Sequence, residues 1–317
     1  MRIFFHRIAA CALLLAPLAP SVRADATLRF HTDIKTTPAI PAAALDQALA
    51  DLRDMVIRVK GNKGFSSQGN LTSIVDLMTQ DLTLVDPAHK RFATLPAAQY
   101  AQQVKGAMPA VPEQARTMFA SMKSNLASRS TGRTATIQGI QTDEQEFVLT
   151  VDMAVPGGPG TSSPFMKMVI QMWSAQPNET QRVPALQEFR NYTASASSGM
   201  NPTETIKQVL SGLPGLGDSL GAMVEEMSKK GAMSLRTHME ISMPILAVMS
   251  QQVPGQALPA GLDPNAPLMQ MNQEVVELSS GPLDDALFEV PSDYQRASLE
   301  EILQGAVSAA RVPQFRQ

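Results

Sequence analysis

Gly217-Asp218-Ser219-Leu220-Gly221 satisfies two patterns of secreted hydrolases at once: the G-x-S-x-G of a nucleophile elbow and a G-D-S-L block. A nucleophilic Ser219 needs a histidine base with an acidic partner, and a buried strand running straight into the glycine so that the serine stands on a tight turn. The preceding stretch, ETIKQVLSGLPGLG, instead places Ile206, Val209, Leu210 and Leu213 at helical spacing and then breaks at Gly212, Pro214, Gly215 and Gly217. The chain has four histidines, His6, His31, His89 and His238. Asp86-Pro87-Ala88-His89 has the Asp-x-x-His spacing of a G-D-S-L lipase, but it precedes the serine and falls in a turn between two strands. The same letters read more simply as Asp218 capping a helix whose apolar stripe is Leu220, Met223, Val224 and Met227. A serine esterase using Ser219 is therefore the secondary expectation; no catalytic residue is assigned and the protein is read as non-enzymatic.

The 19 methionines raise a different chemistry. Thioethers are soft ligands suited to copper(I), and Met166-Lys167-Met168 and Met269-Gln270-Met271 are both M-x-M. Copper sites concentrate methionine with histidine in short polar segments, whereas these alternate with Val169 and Ile170 as strand residues do. Zinc signatures such as H-E-x-x-H and C-x-x-C do not occur, and PGGPGTSS lacks the lysine of a phosphate loop. No metal and no cofactor is expected. Flexible thioethers also suit an adaptable apolar cavity. The expected lining is Phe147, Met153, Met166, Met168, Met172, Met223, Met227 and Met239, with a filled core as the alternative.

Positioning these side chains requires strands. Period-two alternation marks half-buried antiparallel strands in LRFHTDI, MVIRVK, three segments near 71–78, 82–86 and 91–95, the hairpin TATIQGIQTDEQEFVLTVDMAV, PFMKMVIQMWSA, MSLRTHMEISM and QMNQEVVELSS. Helical spacing appears in Val111, Ala115, Met118, Phe119, Met122 and Leu126, and again in SLEEILQGAVSAAR, where Ser298 and Glu301 form a capping box. Asp284-Asp285 reads as a turn. The Pro/Gly-rich loops 155–164 and 253–268 separate no compositionally distinct halves, so one domain is expected. About nine or ten such strands with helices between them predict an α+β fold: one large curved antiparallel sheet, an open half-barrel, with helices covering its concave face.

The first residues, MRIFFHRIAACALLLAPLAPSVRADA, join Arg2 and Arg7 to an apolar run and the small-residue site Ala24-Asp25-Ala26. That is the pattern of a secretory signal peptide over 1–26, with cleavage after Ala26 or, second, after Ala24. A single domain over 27–317 and a periplasmic or extracellular location follow. Removing three arginines and Asp25 takes the net charge from -3 to -5, which disfavours nucleic acid. The sole cysteine, Cys11, lies in the leader, and no later run reaches the roughly 18 apolar residues of a membrane helix.

Several of these segments resemble a known family. IVDLMTQDLTLVDPAHKRFATLP, GRTATIQGIQTDEQEF, MKMVIQMWSA and LQEFRNY are similar, in order, to bacterial secreted proteins of the DUF4412 family, and DDALFEVPSDYQ resembles a strand end of LolA-like lipoprotein carriers. The resemblance spans residues 27 to 295 and departs from the family at a longer insertion over 196–230 and at the Pro-rich loop. It implies a LolA-like sheet wrapped round helices that shelters a lipid or a lipoprotein acyl chain. A third expectation is an envelope structural module that binds protein through a sheet edge and has no cavity.

Overall fold

The computed structural model describes residues 25–37, 53–107, 112–154, 162–199, 202–209, 211, 216–229, 233–246, 263 and 266–309. Most of both Pro/Gly-rich loops, and residues 1–24 of the expected signal peptide, lie outside the described residues. Twelve strands make one open sheet: β1 (Ala26–Thr36), β2 (Asp54–Lys60), β3 (Lys63–Gln68), β4 (Leu71–Asp76), β5 (Asp81–Asp86), β6 (Arg91–Pro96), β7 (Lys123–Ile137), β8 (Ile140–Ala154), β9 (Ser162–Ala175), β10 (Ser234–Ser242), β11 (Met269–Ser280) and β12 (Gln295–Arg296). Their order is β12-β6-β5-β4-β3-β2-β1-β11-β10-β9-β8-β7. Every pairing is antiparallel except the short β12–β6 contact. The sheet is thus two meanders, β1 to β6 and β7 to β11, joined where β1 pairs with β11.

Alternation located most strands because one face of each is wet. It passed over β3, whose KGFSSQ carries Gly64, Ser66 and Gln68 on the face that packs inward. Gly64 is there for space: a Cβ at that position would collide with Oη and Cζ of Tyr192. The helical stripe expected to run from Val111 to Leu126 is also shorter than its spacing implied. The helix α2 (Glu113–Ala120) ends before Met122, and Leu126 belongs to β7. Val111 lies outside the described residues.

The other helices are α1 (Tyr100–Ala107), α3 (Pro177–Arg182), α4 (Pro184–Gly199), α5 (Pro202–Val209), α6 (Leu216–Lys229) and α7 (Leu299–Ala309). Helix α4 presents Ala185, Leu186, Phe189 and Tyr192 to the middle of the sheet, where they pack with Leu28, Phe30, Val59, Leu235 and Val275. Helix α7 covers β5 and β6 through Leu299 and Ile302, and α6 covers β7 and β8. Between them α1 packs on α7 and on α5, and α5 packs on α6, so the helices bridge the two ends of the sheet on its concave side. Helices α5 and α6 supply this bridge together with α1. The capping box at α7 forms: Ser298 N–H and its hydroxyl donate to Glu301 Oε2, both at 2.8 Å, and Glu301 N–H donates to Ser298 Oγ. On the opposite face, residues 283–294 lay Leu283, Leu287, Phe288 and Tyr294 over Phe65, Ile74, Val85 and Phe92.

Candidate functional site

The cross-strand register decides which side chains share a face. Phe147, Ile170, Met239, Met271 and Ile34 form one row across β8, β9, β10, β11 and β1, and Leu149, Met168, Ile241, Met269 and Thr36 form the next. Residues directly opposite one another point the same way, so these rows are one apolar strip. Phe147 and Leu149 are fully buried under α6, where Met223 also lies, while Met166, Met168, Met172 and Met239 are half-buried. All eight residues expected to line a cavity belong to this one cluster: Phe147 and Met223 among its buried members, and Met153, Met166, Met168, Met172, Met227 and Met239 packed against them. They come from four separate elements, β8, β9, β10 and α6.

Among the described residues, two helices flank the middle of the strip. Helix α6 packs on β7 and β8, and α4 packs on β1, β2 and β11, so the methionines of β9 and β10 lie between the two helices. Its inner end is polar. The row Gln145, Met172, Thr237, Gln273 and Thr32 separates the strip from the core under α4, with Gln273 Nε2 donating to the buried Thr32 hydroxyl at 3.2 Å. No carboxylate or ammonium enters these three rows.

The reverse face of the same strands carries the charges. Glu146, Gln171, His238, Asn272 and Asp33 make one row, and Glu144, Trp173, Arg236, Glu274 and His31 another. Gln171 and Arg129 both donate to Glu146 and hold its carboxyl below the ordinary value. Arg236 donates to Glu274 at 2.8 Å while its guanidinium lies 5.6 Å from the Trp173 ring centre. Glu144, fully buried, pairs with Arg133 through one oxygen and leaves the other without a partner. The Glu146 row is thus largely paired and polar, whereas Glu144 is buried and Trp173 packs against the core under α4.

The hydrolase residues are placed otherwise than a triad requires. Ser219 is the fourth residue of α6, nearly buried and inside a continuous helix, so no strand-to-helix elbow exists at this position. Asp218 stands in the first turn of α6, which starts at Leu216; it is not the cap that the sequence suggests, although a carboxylate there still suits the helix dipole. His31 Nδ1 lies 3.1 Å from Asp54, and His238 contacts Asn272 through Nδ1 and Glu240 through Nε2. His89 Nδ1 lies 2.8 Å from Asp86 Oδ2 within the β5–β6 turn. Each ring therefore faces a neighbour in its own sheet or turn.

Among the described residues no group of three His, Cys, Asp or Glu could hold a metal ion. An open pocket of about 350 Å³ between α1 and α5 is lined by Gln102, Lys105, Lys207, Gln208 and Ser211. Both lysines stand in the last turn of their helices, where an ammonium offsets the unpaired carbonyls. No described helix is long and apolar enough to cross a membrane. Sequence reasoning missed the polar row that ends the strip, since Thr32, Thr237 and Gln273 have no common signal until β1, β10 and β11 are neighbours.

No family model and no curated protein matches the chain. Among solved structures, PNGF-II in a C2 crystal form is similar at a TM-score of 0.32 and 7% identity, over 90% of this chain and 33% of that one. The chain thus spans a third of that protein's length, and a likeness this slight carries no argument.

Proposed function

We propose that this protein is an exported, non-enzymatic carrier that holds an apolar chain, a lipid or a lipoprotein acyl group, against the methionine strip of its sheet. The observation that supports the reading most is the convergence of all eight expected lining residues on one apolar cluster between the sheet and α6, bordered by a row that carries Gln145, Thr237 and Gln273. Thioethers adapt to a flexible chain, and burying each methylene gains about 0.8 kcal/mol. At the polar end, Gln145, Thr237 and Gln273 offer uncharged donors to an ester or amide carbonyl. The resemblance to DUF4412 and LolA-like proteins points the same way.

Native mass spectrometry of the protein incubated with a lipid extract tests this. A bound species of lipid mass is expected for the wild type, and Met239→Asp, which places a carboxylate in the strip, should weaken it at least tenfold. His238→Lys, one residue away on the charged face, should leave it unchanged. Equal binding by Met239→Asp, or none by the wild type, would remove the carrier reading.

A further inference from the structure

We infer that the chain matures by hydrolysis of the Ala24–Asp25 bond, and that Asp25 then serves as the charged first residue that pins the start of the sheet. This rests on the exported reading above. The residues flanking the leader fit two cuts, and the small pair Ala24 and Ala26 at the third and first positions matches a leader protease better than Val22 and Ala24 do. The folded product discriminates between them the other way.

Ala26 opens β1 with 1% exposure, opposite Val59 on one side and Ser280 on the other. Asp25 is bound through both of its acceptors: its backbone carbonyl accepts from Gly281 N–H at 3.1 Å, and its carboxylate accepts from Leu283 N–H at 2.7 Å. Lys60 ties the same corner together. Its Nζ donates to Leu283 O at 2.6 Å, pairs with Asp285 at 2.8 Å and lies 3.9 Å from Asp25. Asp25, Asp284 and Asp285 all act on this ammonium, and Lys63 acts on Asp285 as well, so the corner has three carboxylates and two cations.

Water added across the Ala24–Asp25 amide leaves a carboxylate on Ala24 and an α-ammonium on Asp25. That ammonium is a third cation at a corner with three carboxylates, so the new charge meets opposite charge. A cut after Ala26 does the reverse. It removes the Leu283 partner, strips the first buried side chain from β1 and places an ammonium on Thr27, next to the position Ala26 fills against Val59. The leader protease acts on an extended chain, and the fold makes one of its two products the sounder one.

Intact-mass measurement of the full chain expressed with its leader and recovered from the exported fraction reads the cut directly. The expected mass is that of residues 25–317. A product starting at Thr27 or elsewhere would overturn the inference while leaving export standing; uncut protein throughout would overturn both. Chains made to begin at Asp25 and at Thr27 should differ in melting temperature by several degrees, and equal values would also count against the role given to Asp25.

Discussion

Asp86 concentrates several of the molecule's polar demands on one carboxylate. It accepts from the backbone and ring of His89 and from Arg91 at 2.9 Å, and α7 crosses it at Gly305, where a Cβ would lie 2.7 Å from both Asp86 Oδ2 and Arg91 Nη2. Burial pushes its pKa up, but the Arg91 and His89 hydrogen bonds outweigh burial and hold it below the ordinary 3.8. A carboxylate with a lowered folded pKa contributes stability above its unfolded value and loses it as pH falls through the folded one. Asp86→Asn should therefore cost about 1–3 kcal/mol near neutrality, the worth of hydrogen bonds to a charged group. The gap from wild type should close as pH drops below 3.8. Urea unfolding of both proteins across that range measures it, and parallel curves would show that the carboxylate's charge contributes nothing.

At the scale of elements, the closest fit joins β3 to α4. Tyr192 lies over Gly64, and burial together with the nearby Asp76 raises its phenol to about 12. Gly64→Ala forces Tyr192 away from the sheet, and overpacking of this kind costs about 1–3 kcal/mol. In a double-mutant cycle, Tyr192→Ala should cost measurably less in the Gly64→Ala background than in the wild type. Additive losses would mean that the two residues do not share the space. Local signals made some elements legible and left others obscure. The α7 capping box and the 71–96 meander could be read because their determinants lie within a few residues of one another. Strand β3 and the end of α2 could not, because the first has its glycine for a tyrosine 128 positions away in sequence and the second gives way to a strand paired with β8.

For the whole molecule, the decisive contact is β1 with β11, which closes two meanders into one sheet across nearly the full chain. Pairings this distant are paid for in loop entropy before any packing is gained, which makes them slow to form. A chain ending after Ser242 leaves β1 and β10 with open edges and the methionine strip without Met269 and Met271. It should lose its cooperative thermal transition by circular dichroism, and a sharp transition retained without β11 would show that the two meanders fold independently. The free edge at β7 is long, but Lys123, Arg129 and Arg133 and the irregularity between Ser130 and Thr134 are features that discourage pairing with another strand.

By itself the sequence determined which residues alternate and therefore which faces are apolar, because a strand's period of two is written in adjacent letters. It determined that Ser219 follows a broken helical stretch, and that methionine dominates the apolar face of several strands. Tertiary structure decided what those faces meet. It put two M-x-M segments about a hundred residues apart on the same face, with Met239 between them, and set the strip between α4 and α6. It also set a neutral polar row at one end and made Asp25 part of the fold. Register between distant strands depends on long-range pairing, and no local periodicity encodes which strand becomes whose neighbour.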